Sequence, residues 1–134
     1  MPEPTNFKDV MILLVEDDSF LASVYATKFE LEGFSVFHAP DGEAGLQMAG
    51  KVEPSIILLD ILMPKMDGFE MLHRLKMDPK LVHIPVIMLT NLGQKEDVER
   101  CLKEGAVDYL IKAHFVPGEA VKKVMKILNL TKPA

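Results

Sequence analysis

The chain has almost nothing with which to brace itself covalently: of its 134 residues only Cys101 is a cysteine. No internal disulfide can form, and a reducing, cytoplasmic setting is the expected one. No apolar run approaches the roughly 18 residues of a membrane-spanning helix. The N-terminus, Met1-Pro-Glu-Pro-Thr-Asn6, lacks the basic and apolar regions of a signal peptide, so membrane insertion is not expected. Positive charge is short as well, with 15 Lys and Arg against 20 Asp and Glu and a net charge of −5. That balance argues against direct binding to nucleic acid or to an anionic membrane. No glycine-rich phosphate loop follows any apolar run, which disfavours a nucleotide-binding module. His38, His73, His83 and His114 show no metal-ligand spacing, and none reads as a phosphodonor. Internal repeats, linkers and low-complexity segments are missing too. One domain spanning residues 1–134 is therefore expected, with a core over about 9–130 and flexible ends at 1–8 and 131–134.

What the chain does have is apolar residues, 49% of the total, gathered into short runs that end in polar residues. In Pro54-Ser-Ile-Ile-Leu-Leu-Asp60, four apolar residues lead into a carboxylate. An unbroken run rich in branched side chains reads as a strand buried on both faces. Asp60 then stands where that strand leaves the core. Pro64 prevents regular continuation, so 61–66 is a loop. Asp67 is placed to cap a helix, with Glu70 three residues on and Met71, Leu72 and Leu75 as its inner stripe.

The same unit recurs along the chain. Met11 to Val15 runs into Glu16-Asp17-Asp18, and a helix follows, capped by Asp18 or Ser19, with Leu21, Val24, Tyr25 and Phe29 inward and Gly33 as its stop. Phe34 to His38 alternates as a less buried strand before a short helix opened by Asp41-Gly42. Val86 to Leu89 ends in Thr90, ahead of a helix over 94–104 with Val98, Cys101 and Leu102 inward. Val107 to Ile111 ends in Lys112, ahead of a helix over about 117–128. That last helix should turn Val121, Val124, Met125 and Leu128 inward and Lys122, Lys123 and Lys126 outward. Five strands alternating with five helices predict a doubly wound α/β fold with a parallel sheet and right-handed crossovers. The three continuously apolar strands belong at the centre, so the predicted order is 2-1-3-4-5, with the switch point between strands one and three.

Ligands bind such sheets at the carboxyl ends of the strands, beside that switch point. Glu16, Asp17, Asp60, Thr90 and Lys112 all fall there. Converging carboxylates repel unless a cation joins them. An acidic oxygen set without cysteine or histidine partners suits Mg²⁺, which also has room for a phosphate oxygen. Lys112 and Thr90 suit phosphoryl oxygens. Asp60, on the central strand, is the best carboxylate nucleophile for forming an acyl phosphate.

Four motifs carry a family resemblance: Val15-Glu16-Asp17-Asp18; Leu59-Asp60 with Pro64 and Asp67-Gly68; Leu89-Thr90; and Gly105-Ala106 with Asp108-Tyr109-Leu110 and Lys112. In order and spacing, over roughly residues 9 to 130, they resemble the receiver domain of bacterial two-component response regulators. The resemblance implies a flavodoxin-like fold with Asp60 as phosphoacceptor. It implies Glu16, Asp17, Asp60 and the backbone carbonyl of Leu62 as the Mg²⁺ site, Thr90 and Tyr109 as a switch pair, and Lys112 as the phosphate-binding lysine. The implied donor is a histidine kinase or phosphotransfer protein. The implied output is a downstream protein partner or a self-dimer, through the fourth helix, fifth strand and fifth helix. The chain departs from the family in having Ala113-His114 where Pro usually follows the lysine, and Asn91 where a small residue usually follows the threonine.

A stand-alone receiver, not an enzyme beyond promoting its own phosphorylation and dephosphorylation, is the leading reading. A receiver-like interaction module that is never phosphorylated is an alternative. An aspartyl-phosphate phosphatase is a weaker one, because such enzymes place a second Asp two residues after the nucleophile, where Leu62 stands here.

Overall fold

The computed structural model describes residues 7–91, 95–112 and 116–131. The strands are β1 (Phe7–Val15), β2 (Phe34–Ala39), β3 (Ile56–Asp60), β4 (Val86–Thr90) and β5 (Asp108–Ile111). The helices are α1 (Ser19–Leu31), α2 (Gly42–Val52), α3 (Gly68–Met77), α4 (Lys95–Lys103) and α5 (Pro117–Ile127). All strand pairs are parallel, in the order β2-β1-β3-β4-β5. The fold class, the order and the position of the switch point are those predicted.

Burial follows from that order. Every residue of β3 and β4 is buried, because these strands have neighbours on both edges and helices on both faces. Alternate side chains separate the interior into two bodies. Leu13, Val15, Ile57, Leu59 and Met88 face one way, into a cluster with Met71, Leu72, Leu75 and Cys101 from α3 and α4. Ile12, Leu14, Ile56, Leu58, Ile87 and Leu89 face the other way, onto Ala22, Tyr25 and Phe29 of α1 and Val121 and Val124 of α5.

Helix starts are set by aspartates. Asp18, Asp41 and Asp67 each accept a hydrogen bond from the backbone N–H three residues on, at 3.0, 2.8 and 2.9 Å, which satisfies one otherwise orphaned donor per helix. Gly33 closes α1 at φ 101°, the left-handed conformation that glycine adopts without strain.

Several local expectations shift. β1 begins at Phe7, whose ring stacks on Phe34 with centroids 4.8 Å apart, so Phe7 and Lys8 belong to the sheet. On α1 the buried stripe is Ala22, Tyr25 and Phe29, while Leu21 and Val24 are only half-buried. Leu102 is 45% exposed rather than inward, and Met125 and Leu128 are half-buried. Lys123 is not part of a freely solvated face, because its ammonium lies 2.9 Å from Asp108 Oδ2.

Gly68 fixes how closely α3 approaches the end of β3. Its N–H donates to Ile61 O at 2.7 Å. A Cβ there would collide with the carbonyl oxygen of Asp60 and lie 2.8 Å from Ile61 Cα, backbone atoms that cannot swing aside. The requirement is for space, not for an unusual φ. Gly68→Ala should therefore destabilise the fold by about 3 kcal/mol, the upper end of overpacking costs. Denaturant unfolding measures this directly, and a change below about 0.5 kcal/mol, the scale of ordinary surface substitutions, would contradict the tight approach.

Candidate functional site

Each acid reaches the site because a strand ends there. The β1 ladder finishes at Val15 opposite Ala39. The Glu16 N–H then donates to Ala39 O at 3.0 Å, and Glu16 Oε2 accepts from the Asp18 N–H at 3.1 Å. Glu16 is fully buried, Asp60 is 3% exposed, and Asp17 lies on the surface. One carboxylate oxygen from each of the three lies within 4.8 Å of the others.

Lys112 follows β5 and enters from the far side. Its ammonium is 2.7 Å from Glu16 Oε1 and 3.1 Å from Asp60 Oδ2, with the side chain 8% exposed. The buried Glu16 Oε1 is held by its ion pair with the Lys112 ammonium. Lys112 thus faces two buried carboxylates at once, and the imbalance appears in the acid–base properties. Burial, and then the charge of Glu16, push the Asp60 carboxyl up to about 7, with Lys112 opposing them. Burial alone would lower the Lys112 ammonium, but its contacts with Glu16 and Asp60 outweigh this and hold it above the usual lysine value. Tyr25, on the inner face of α1, is raised by burial, and Lys112, Glu16 and Asp60 all act on it electrostatically.

A cavity of about 250 Å³ is lined by Glu16, Asp17, Asp18, Asp60, Ile61, Leu62, Thr90, Asn91 and Lys112. The sequence-predicted acids, Thr90, Lys112 and Leu62 thus share one pocket. Tyr109 is not on its lining; it is half-buried against the α3–α4 cluster, with Lys123 Nζ 5.7 Å from its ring centroid. Asn91 stands exposed at the mouth, as does Leu62, at 59%. Ala113 and His114 lie outside the described residues. A larger groove of about 540 Å³ runs between α1 and α5, but none of the described residues lining it is acidic, so chemistry rather than volume locates the site.

The three carboxylates form a donor set of hard oxygens alone, with negative charge in excess, and could bind a metal ion. Sequence reasoning missed two neighbours of the site. Tyr25 was read only as core. His38 was dismissed for lack of ligand spacing, yet its Nε2 lies 2.7 Å from the backbone carbonyl of Glu16. The alternating pattern of β2 showed only that His38 stands on a strand, not what lies beside it.

A flavodoxin-like domain with an acid pocket at its switch point and a buried lysine facing it is the architecture of a phosphorelay signalling module. The chain belongs to the response regulator receiver domain family, whose pattern it matches over residues 12–124. It is 38% identical over 120 residues to the DNA-binding dual master transcriptional regulator RpaA of Synechocystis, a stretch covering 90% of this chain and 49% of that protein. The structure of the Francisella response regulator 1452 receiver domain is 31% identical and superimposes with a TM-score of 0.83, over 89% of this chain and 96% of that one. The CheX-CheY-BeF3-Mg complex from Borrelia burgdorferi is 31% identical, with a TM-score of 0.81 over 87% of each chain. The chain spans about half the length of RpaA and of the other first curated relatives it matches. Receiver domains are in general non-enzymatic signal transducers. No described helix is long and apolar enough to cross a membrane.

Proposed function

We propose that this domain accepts a phosphoryl group on Asp60 from a histidine kinase or phosphotransfer protein and presents a changed surface to a protein partner. The observation that carries the reading is the placement of Asp60: a nearly buried carboxylate on the central strand, 3.1 Å from Lys112 and open to a polar cavity. An oxygen of ionised Asp60 attacks phosphorus, and the bond from phosphorus to the donor's nitrogen or oxygen breaks. The donor leaves with that electron pair and is protonated. Lys112 holds Asp60 and the incoming phosphoryl oxygens in one geometry. Thr90, 2% exposed on the pocket wall, has a hydroxyl suited to a phosphoryl oxygen. Glu16, Asp17, Asp60 and the Leu62 carbonyl would hold Mg²⁺, which supplies charge neutralisation at the phosphoryl oxygens. That CheY of similar fold was solved with BeF3 and Mg supports the reading. The test is incubation with Mg²⁺ and a small acyl-phosphate donor, followed by intact mass. No gain of a phosphoryl group would instead favour the interaction module that is never phosphorylated.

The output surface is proposed to be α4, β5 and α5. Leu102 and Val107 stand 45% and 48% exposed there. Beryllofluoride with Mg²⁺ should shift amide resonances across 95–111 and 116–126. Shifts confined to the neighbourhood of Asp60 would disconnect the pocket from that face.

Dephosphorylation needs a water in line with the Asp60–phosphorus bond. Leu62, which lines the pocket, cannot hydrogen-bond that water. Leu62→Asn should shorten the lifetime of the phosphorylated state, by about tenfold if it supplies a modest part of the roughly 10²–10⁴-fold worth of a positioned general base. An unchanged release rate at fixed Mg²⁺ would remove Leu62 from the account.

A further inference from the structure

We infer that His38 is a positioning residue for the Mg²⁺ site, fixing Glu16 by a hydrogen bond from its imidazole Nε2 to the Glu16 backbone carbonyl. The inference rests on the reading of Glu16 as part of that site and adds a residue on the sheet edge to it. In a parallel ladder each residue donates to one carbonyl and accepts from the amide two residues further along the partner strand. Glu16 donates to Ala39 O, so its carbonyl would next accept from the amide of Asp41. By then β2 has ended at Ala39, Pro40 intervenes, and Asp41, still extended at φ −154° and ψ 173°, is the N-cap of α2 rather than a further rung of the ladder. The ladder stops one bond short at the residue whose side chain must point into the pocket. His38 fills that place from the edge strand at 2.7 Å.

Four contacts then hold Glu16. Its N–H is tied to Ala39, its carbonyl to His38, Oε2 to the Asp18 amide and Oε1 to Lys112. Three of them are still made without His38, so its loss should loosen the carboxylate rather than unfold the chain. Groups that orient a ligand typically change metal affinity by about 10–100-fold. His38 acts one step further back, through the main chain, so a smaller effect is expected.

The experiment compares wild type, His38→Phe and His38→Gln by Mg²⁺ titration, read by amide shifts, and by phosphorylation rate against Mg²⁺ concentration. His38→Phe keeps a ring suited to a strand but has no donor, and should weaken Mg²⁺ binding about threefold to tenfold. Saturating Mg²⁺ should restore its rate, and His38→Gln, which keeps a donor, should recover most of the affinity. A merely structural role would move the unfolding midpoint and leave this split between affinity and saturated rate untouched. Wild-type Mg²⁺ affinity in a folded His38→Phe would overturn the inference. Failure of the wild type itself to bind Mg²⁺ would overturn the reading of the site instead.

Discussion

Asp60→Asn should abolish phosphate uptake while making the metal-free fold more stable at neutral pH. The first half follows from chemistry: an amide oxygen is not a carboxylate nucleophile, and among the described residues no other carboxylate combines near-complete burial on the central strand with a place beside Lys112. The second half follows from charge. Folding raises the Asp60 carboxyl to about 7, chiefly by burial and then by the charge of Glu16. Between the ordinary carboxylate value of about 4 and that raised value, the unfolded chain has lost a proton that the folded chain retains. Stability therefore falls through this window as pH rises, and above it the full cost remains. Asn fills nearly the same volume, leaves the Glu16–Lys112 pair in place and has nothing to ionise. Unfolding midpoints in chelator should match near pH 4 and diverge in favour of the variant up to about pH 7. Midpoints that stay parallel across that range would show that Asp60 is ionised in the fold at no cost.

Asp17→Asn should be nearly as damaging to activity, for a different reason. Asp17 is the exposed member of the acid trio, and its oxygen lies within 4.8 Å of those of Glu16 and Asp60. Two unit charges about 4 Å apart interact by about 4 kcal/mol at an effective dielectric near 20. Solvent screening cuts that figure, leaving a loss of Mg²⁺ affinity on the order of a hundredfold. Phosphorylation at ordinary Mg²⁺ concentrations should fall with it. Without metal, removing one of three mutually repelling carboxylates should leave the unfolding midpoint unchanged or raise it. Mg²⁺ titration and acyl-phosphate labelling read both effects, and normal labelling would take Asp17 out of the site.

The fold was legible in the sequence because its three central strands are continuous apolar runs, as strands covered on both faces of a sheet are, while the two edge strands are mixed. The pocket was legible because Glu16, Asp60 and Thr90 each close a continuous apolar run and Lys112 closes the mixed fifth strand. Finer features were less so. On α1 the periodicity of Leu21 and Val24 pointed slightly off the true stripe, which runs through Ala22, Tyr25 and Phe29. Leu102 has the hydrophobicity of a core residue, but α4 turns it toward the outer face. Lys123 reads as solvated until β5 sets Asp108 beside it. The role of His38 depends on which carbonyl β1 leaves unanswered where β2 stops, a property of strand register that no single run contains.

The division of the interior by the sheet has a spectroscopic consequence. The chain has no tryptophan and two tyrosines, and the two fall on opposite sides of the partition. Tyr25 is sealed beneath α1, and Tyr109 packs on the α3–α4 side. Intrinsic ultraviolet emission is therefore a two-channel signal, and replacing either phenol by phenylalanine leaves a reporter for one layer alone. Whether the layers melt as one cooperative unit, or one loosens before the other, can be read by overlaying the two single-tyrosine traces, with no added dye or label.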